Sequence, residues 1–108
     1  MRIKVLDVEY EIILNATQEE YPILKEADGA TDTSIKRILI AKMEKDFRSL
    51  EDLQYYQNKV LRHELIHAFL YESGLSVNSE WACNEEIVDW IAIQFPKLFK
   101  IFSENNVL

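Results

Sequence analysis

The sequence predicts an α+β fold, with strands first and helices after them. Three observations carry this. Apolar residues alternate along the first fourteen positions, as Ile3 and Val5 and then Val8, Tyr10, Ile12 and Leu14. From Leu53 onward, Tyr56, Val60, Leu61, Leu65, Ala68 and Phe69 recur at helical spacing instead. Gly and Pro occur twice each in 108 residues, so there is no linker, and residues 1–108 read as a single domain.

The elements follow in order. The parity of the alternation switches across Leu6-Asp7, which predicts a tight turn between two antiparallel strands. Residues 15–27 are polar, contain Pro22 and predict a loop, and Asp28-Gly29 signals a turn. Thr31 to Ala41 is β-rich, with Ile35, Ile38, Leu39 and Ile40 as its apolar part. A bend near Asp32-Thr33-Ser34 makes it a second hairpin, whose Ile35–Ile40 strand is expected to be an open edge. Ser49-Leu50-Glu51-Asp52 can cap a helix running from about 50 to 72, with Gly74 as its left-handed stop and Leu75 packing back on the last turn. A second helix is expected from Ser79 or Glu80 to about Phe95, ended or kinked by Pro96. Leu98, Phe99, Ile101 and Phe102 then form a short C-terminal helix that closes the core or contacts a partner.

The charge of −7 argues against a nucleic-acid surface, so no direct nucleic-acid partner is expected. Lys36, Arg37, Lys42, Lys45 and Arg48 form a basic run, but acidic neighbours dilute it to a solvated face. Cys83 is the one cysteine, which excludes an internal disulfide, and its expected role is a small core filler. The N-terminus has no signal-like apolar stretch and no run spans a membrane, so a cytoplasmic protein with no membrane partner is expected. Nothing in the pattern sets an oligomeric state.

His63-Glu64-Leu65-Ile66-His67 contains both histidines of the chain. Residues four apart on a helix stand over one another, so two imidazoles can hold one Zn²⁺, and the Glu64 carboxylate reaches the edge of the same site. The flanking Val60, Leu61, Leu65, Ile66, Ala68 and Phe69 are uncharged, as a dry metal shell needs. Zinc needs a third protein ligand, and Cys83, Glu85, Glu86 and Asp89 lie on the next helix. Glu85 and Asp89, four apart, share a face. Glu85 could ligate while Asp89 accepts the outer N–H of a ligating histidine; Glu86 as ligand, with Glu85 solvated, is the alternative.

These residues resemble the gluzincin metallopeptidases, in which His-Glu-x-x-His is followed on a later helix by Asn-Glu-x-x-Ser-Asp. Here the second motif is Asn84-Glu85-Glu86-Ile87-Val88-Asp89, with Val88 in place of the Ser. The small size and the helix pattern also resemble the ImmA/IrrE-type metallopeptidases and their short phage and prophage relatives, over roughly residues 60–92. The resemblance implies a minimal zincin-like domain whose first helix carries the active site. It implies His63, His67 and Glu85 as zinc ligands, Glu64 as general base and Asp89 as the partner of His63. It implies hydrolysis of a protein or peptide substrate. The family's further His or Tyr, which stabilises the oxyanion, has no histidine left to supply it here; Tyr71 is a candidate, as are Tyr55 and Tyr56. A second reading is a zinc-stabilised interaction or regulatory module with little or no hydrolysis. Trp81 and Trp90 are expected in the core over the site, and the Leu98–Phe102 cluster in the core or, less favoured, between copies.

Overall fold

A computed structural model describes residues 1–44 and 52–108. Strands β1 (Arg2–Val5), β2 (Val8–Ala16), β3 (Gly29–Asp32) and β4 (Arg37–Ala41) form one sheet in the order β1-β2-β4-β3. Helices α1 (Leu53–Glu72) and α2 (Glu85–Glu104) follow. Short 3-10 turns lie at Pro22–Lys25, Leu75–Val77 and Glu80–Cys83.

Both expected hairpins form. Val5 faces Val8 across a two-residue turn in which Leu6 and Asp7 have φ of 48° and 67°, the paired positive values that match the twist of a hairpin. β3 and β4 pair antiparallel from Gly29↔Ile40 to Asp32↔Arg37. The hairpins then join through a parallel pairing of β2 with β4. This corrects the expectation of an open Ile35–Ile40 edge. Ile38 and Ile40 are fully buried and pack with Tyr10, Ile12, Val60 and Ala68. Leu39 points to the other face, where it meets Ala16 and Leu24. Three successive apolar residues buried on both faces belong in the middle of a sheet. Ile35 lies in the turn and is exposed. Among the described residues, the free edge on that side is β3, a short strand ending in Thr31-Asp32.

Leu14 also departs from its alternation. The β2–β4 register slips by one residue between Ile13 and Ala16, where Asn15 has φ of 56°. The bulge leaves Leu14 exposed and turns Ala16 inward.

Asp52 caps α1 by accepting from the Tyr55 N–H at 2.9 Å; the expected Ser49 cap lies outside the described residues, as do Lys45 and Arg48. The rest of the basic run is matched by acids: Lys36 bonds Glu72, and Arg37 and Lys42 lie within 4 Å of Glu11 and Glu44. Gly74, at φ 84°, ends the helix region in the left-handed conformation, and Leu75 packs against the cluster of Leu70, Ala82 and Val88.

α2 begins at Glu85, later than expected, because residues 80–83 form a 3-10 turn and Asn84 is the cap, accepting from the Ile87 N–H at 3.0 Å. It also continues past Pro96, which lies inside it rather than ending it. No separate C-terminal helix exists among the described residues; Leu98–Phe102 is the second half of α2. A proline lacks the N–H that would bond the carbonyl four residues back. That carbonyl belongs to Ala92, and the Arg62 Nε–H of α1 donates to it at 2.7 Å. A guanidinium from the neighbouring helix thus replaces the missing backbone donor.

Val88 and Ala92 are the buried residues of α2. Trp81, Trp90 and the Leu98–Phe102 cluster are exposed, against expectation; Trp90 retains 63% of its surface. Among the described residues, the buried positions of α2 thus lie in its first half. No described helix is long and apolar enough to cross a membrane.

Candidate metal centre

His63, Glu64 and His67 face the start of α2. The turn at Gly74 and the Leu70–Ala82–Val88 cluster fold α2 back onto α1, so the first turn of α2 meets the fourth turn of α1. The two imidazole centroids are 4.8 Å apart and tilted by 65°. Their Nε2 atoms stand 3.1 Å from each other. The Glu85 carboxylate closes the triangle, with Oε2 2.8 Å from His63 Nε2 and Oε1 2.9 Å from His67 Nε2. Donors set tetrahedrally about 2.0–2.1 Å from a small divalent ion stand about 3.3 Å apart. A few tenths of an ångström of expansion therefore makes room for an ion. Among the described residues, this is the group of side chains that could hold a metal.

The imidazoles are mostly covered, while the Glu85 side chain is 73% exposed. The centre thus opens toward solvent on one side, as sites that admit a substrate do. Its dry shell is one-sided, with Leu65 and Ile66 half-buried and Phe69 exposed.

Asp89 lies where the sequence places it. Its Oδ1 is 3.1 Å from His63 Nδ1 and 3.1 Å from Lys59 Nζ. With its proton on Nδ1 and donated to Asp89, His63 turns the Nε2 lone pair toward the centre. Desolvation alone would raise the Asp89 carboxyl, but hydrogen bonds from Lys59 and His63 outweigh it and hold the group below its ordinary range. Glu85 behaves alike: its contacts with His63 and His67 overcome desolvation and keep it ionised to lower pH.

Glu64 is the contrast. It is 7% exposed, and this burial pushes its pKa above the ordinary glutamate value. The Thr31 hydroxyl, 2.8 Å from Glu64 Oε1, partly offsets that shift and orients the carboxylate. Oε2 is 3.9 Å from His63 Nε2, at the rim of the centre. Thr31 is a site residue that sequence reasoning missed, since nothing in the helix motif points to a strand hydroxyl 33 residues earlier. Gly29 is another. A Cβ there would lie 2.9 Å from Val60 Cγ1 and 3.0 Å from Glu64 Cγ. Its absent side chain lets β3 pass against the Glu64 carboxylate, beyond the turn that Asp28-Gly29 signals.

A cavity of about 490 Å³ adjoins the centre and is lined in part by Gly29, Thr31, Glu64, His67, Tyr71 and Glu85. Tyr71 thus shares a wall with Glu64 and His67. Tyr55 is exposed and lines none of the described cavities at the centre. Tyr56 donates its hydroxyl to Asp28, and desolvation with that bond pushes its pKa up to about 12. Cys83 is exposed rather than in the core, its Sγ 3.1 Å from the Ser76 carbonyl; Ala82 takes the buried place. Glu86 points to solvent, outside the triangle.

No protein-family model, curated protein or solved structure matches this chain.

Proposed function

We propose that this chain is a zinc-dependent peptidase of the gluzincin type, built as a minimal zincin-like domain similar to the small ImmA/IrrE-type enzymes. The observation that carries the reading is the triangle of His63, His67 and Glu85 with a buried glutamate at its rim. Two neutral imidazoles and one carboxylate suit Zn²⁺, which when bound polarises a carbonyl and acidifies water.

The chain's own groups divide the remaining work. Glu64 accepts the proton of the attacking water and returns it to the leaving amine; its burial-raised pKa brings it nearer neutrality, where a base that must later act as an acid works best. Thr31 fixes one Glu64 oxygen so that the other faces the centre. Asp89, held ionised by Lys59, sets the tautomer of His63. Tyr71 donates to the substrate oxygen as it gains charge.

Substrate placement falls to β3. Ala41 N–H donates to Asp28 C=O at 2.9 Å, and alternation along an antiparallel ladder then turns the Gly29 and Thr31 backbone groups toward the free edge. An extended peptide added there runs beside Glu64. The substrate class is therefore an unfolded or loop segment of a protein.

The test is Glu64→Gln. It is expected to keep the metal and the fold and to abolish cleavage of a peptide library. A second reading, a zinc-stabilised interaction module, draws on the exposed apolar half of α2. Full biological function in Glu64→Gln would favour that module and overturn the peptidase.

A further inference from the structure

The sheet face turned away from α1 carries a second cavity, of about 390 Å³, lined in part by Tyr21, Ile23, Ala30, Ile35, Arg37 and Leu39. Ile23, Ala30, Thr31 and Thr33 also line the cavity at the metal centre, so the two cavities meet across β3.

Strand alternation assigns each face of β3 to one cavity. Gly29 and Thr31 pair with Ile40 and Ile38, which pack on the α1 side, and the Thr31 hydroxyl donates to Glu64. Ala30 pairs with Leu39, which points to the opposite face. The backbone groups of Gly29 and Thr31 are those turned toward the free edge, so an extended peptide bonded to them sets one residue beside Ala30. Cross-strand neighbours share a face. The side chain of that residue therefore enters the outer cavity, while its two neighbours turn theirs toward Glu64.

The walls decide which side chain fits. Ile23 and Ile35 are 60% and 57% exposed and belong to none of the buried clusters. Buried Leu39 and half-buried Tyr21 add apolar surface. The charged groups in the lining already face partners in the chain: Arg37 lies 3.7 Å from Glu11, and Asp32 accepts from the Ser34 N–H at 3.0 Å. The surface left to a ligand is mainly apolar, and a cavity of this size takes any single side chain.

We propose that the outer cavity is a specificity subsite for one bulky apolar residue of an extended peptide, the residue beside Ala30. The inference rests on the peptidase reading for its occupant and adds the rule by which a segment is chosen. Half-burying a leucine side chain there favours it over alanine by roughly tenfold in affinity.

The test measures binding apart from cleavage. Zinc-loaded Glu64→Gln protein is titrated with a position-scanning library of extended octapeptides, read by fluorescence anisotropy. One position is expected to favour leucine or phenylalanine over alanine roughly tenfold, falling to about threefold in Ile35→Ser, because Ile35 lines the outer cavity and not the one at the centre. In an Ala30→Cys, Cys83→Ser background, a peptide with cysteine at that position is expected to form a disulfide with residue 30, and one with cysteine moved by one residue is not, since a single step turns the side chain to the other face. That preference in a chain whose wild type cleaves nothing would support the subsite and sink the peptidase. Binding or cleavage without a one-position apolar preference would overturn the subsite and leave the peptidase standing. Failure of every peptide to bind, or a preference undiminished in Ile35→Ser, overturns the subsite as well.

Discussion

Arg62→Ala removes the one side-chain donor that compensates for Pro96. The bond runs from Arg62 Nε to the Ala92 carbonyl at 2.7 Å, is partly buried and joins α1 to α2. Hydrogen bonds that involve a charged group are worth about 1.5–3 kcal/mol, and leaving a buried acceptor unpaired costs about the same. We expect a loss of about 2 kcal/mol. For a chain of 108 residues this is a fall in Tm of roughly 8 °C. The decisive assay is a double-mutant cycle, run by urea unfolding in EDTA so that metal binding does not contribute. Pro96→Ala restores a backbone N–H four residues beyond Ala92. In that background Arg62→Ala should lose less than about 1 kcal/mol, giving a coupling of about 1–2 kcal/mol. Equal losses in both backgrounds would refute the reasoning, because the guanidinium would then not be standing in for the missing N–H.

Other consequences follow from packing and charge. Gly29→Ala forces a Cβ to 2.9 Å from Val60 and 3.0 Å from Glu64, so it should destabilise by about 1–3 kcal/mol in denaturant unfolding and, under the proposed peptidase function, lower turnover by displacing Glu64. Glu72 accepts from Lys36 at 2.8 Å and from Tyr10 at 2.6 Å, and these bonds, Lys36 first, hold its pKa below the ordinary 4.5. A depressed folded pKa means that this contribution is fully present above about pH 4.5 and is lost as pH falls through the lower folded value. Melting curves should therefore show a smaller acid-induced fall in Tm below pH 4.5 for Glu72→Gln than for the wild type; identical falls would contradict it.

Much of this was legible in the residues, and what was not has physical reasons. The parity switch at Leu6-Asp7 located the first hairpin, and Asp32–Ser34 the second, because turn chemistry is local. That the hairpins join through a parallel β2–β4 pairing is a long-range choice; the run Ile38-Leu39-Ile40 was its one trace, as an edge strand has no reason to be apolar on both faces. Pro96 reads as a helix end because its compensating donor, Arg62, sits 34 residues earlier on another helix. The aromatic residues of α2 read as core because an apolar cluster does not say whether its own chain covers it. At the site, His63, His67, Glu85 and Asp89 came from helical spacing, and the structure brings all four together. Thr31 and Gly29 were invisible, since a hydroxyl and an absent side chain carry no motif.

The central claim is that His63, His67 and Glu85 together bind zinc. Elemental analysis of purified protein, after equilibration with zinc and removal of free metal, tests it most directly when wild type is set beside Glu85→Ala. The account predicts one zinc per wild-type chain and a marked loss of bound metal in Glu85→Ala, with His63→Ala losing it too. Wild-type protein that retains no zinc, or a Glu85→Ala protein that retains as much as wild type, would contradict it.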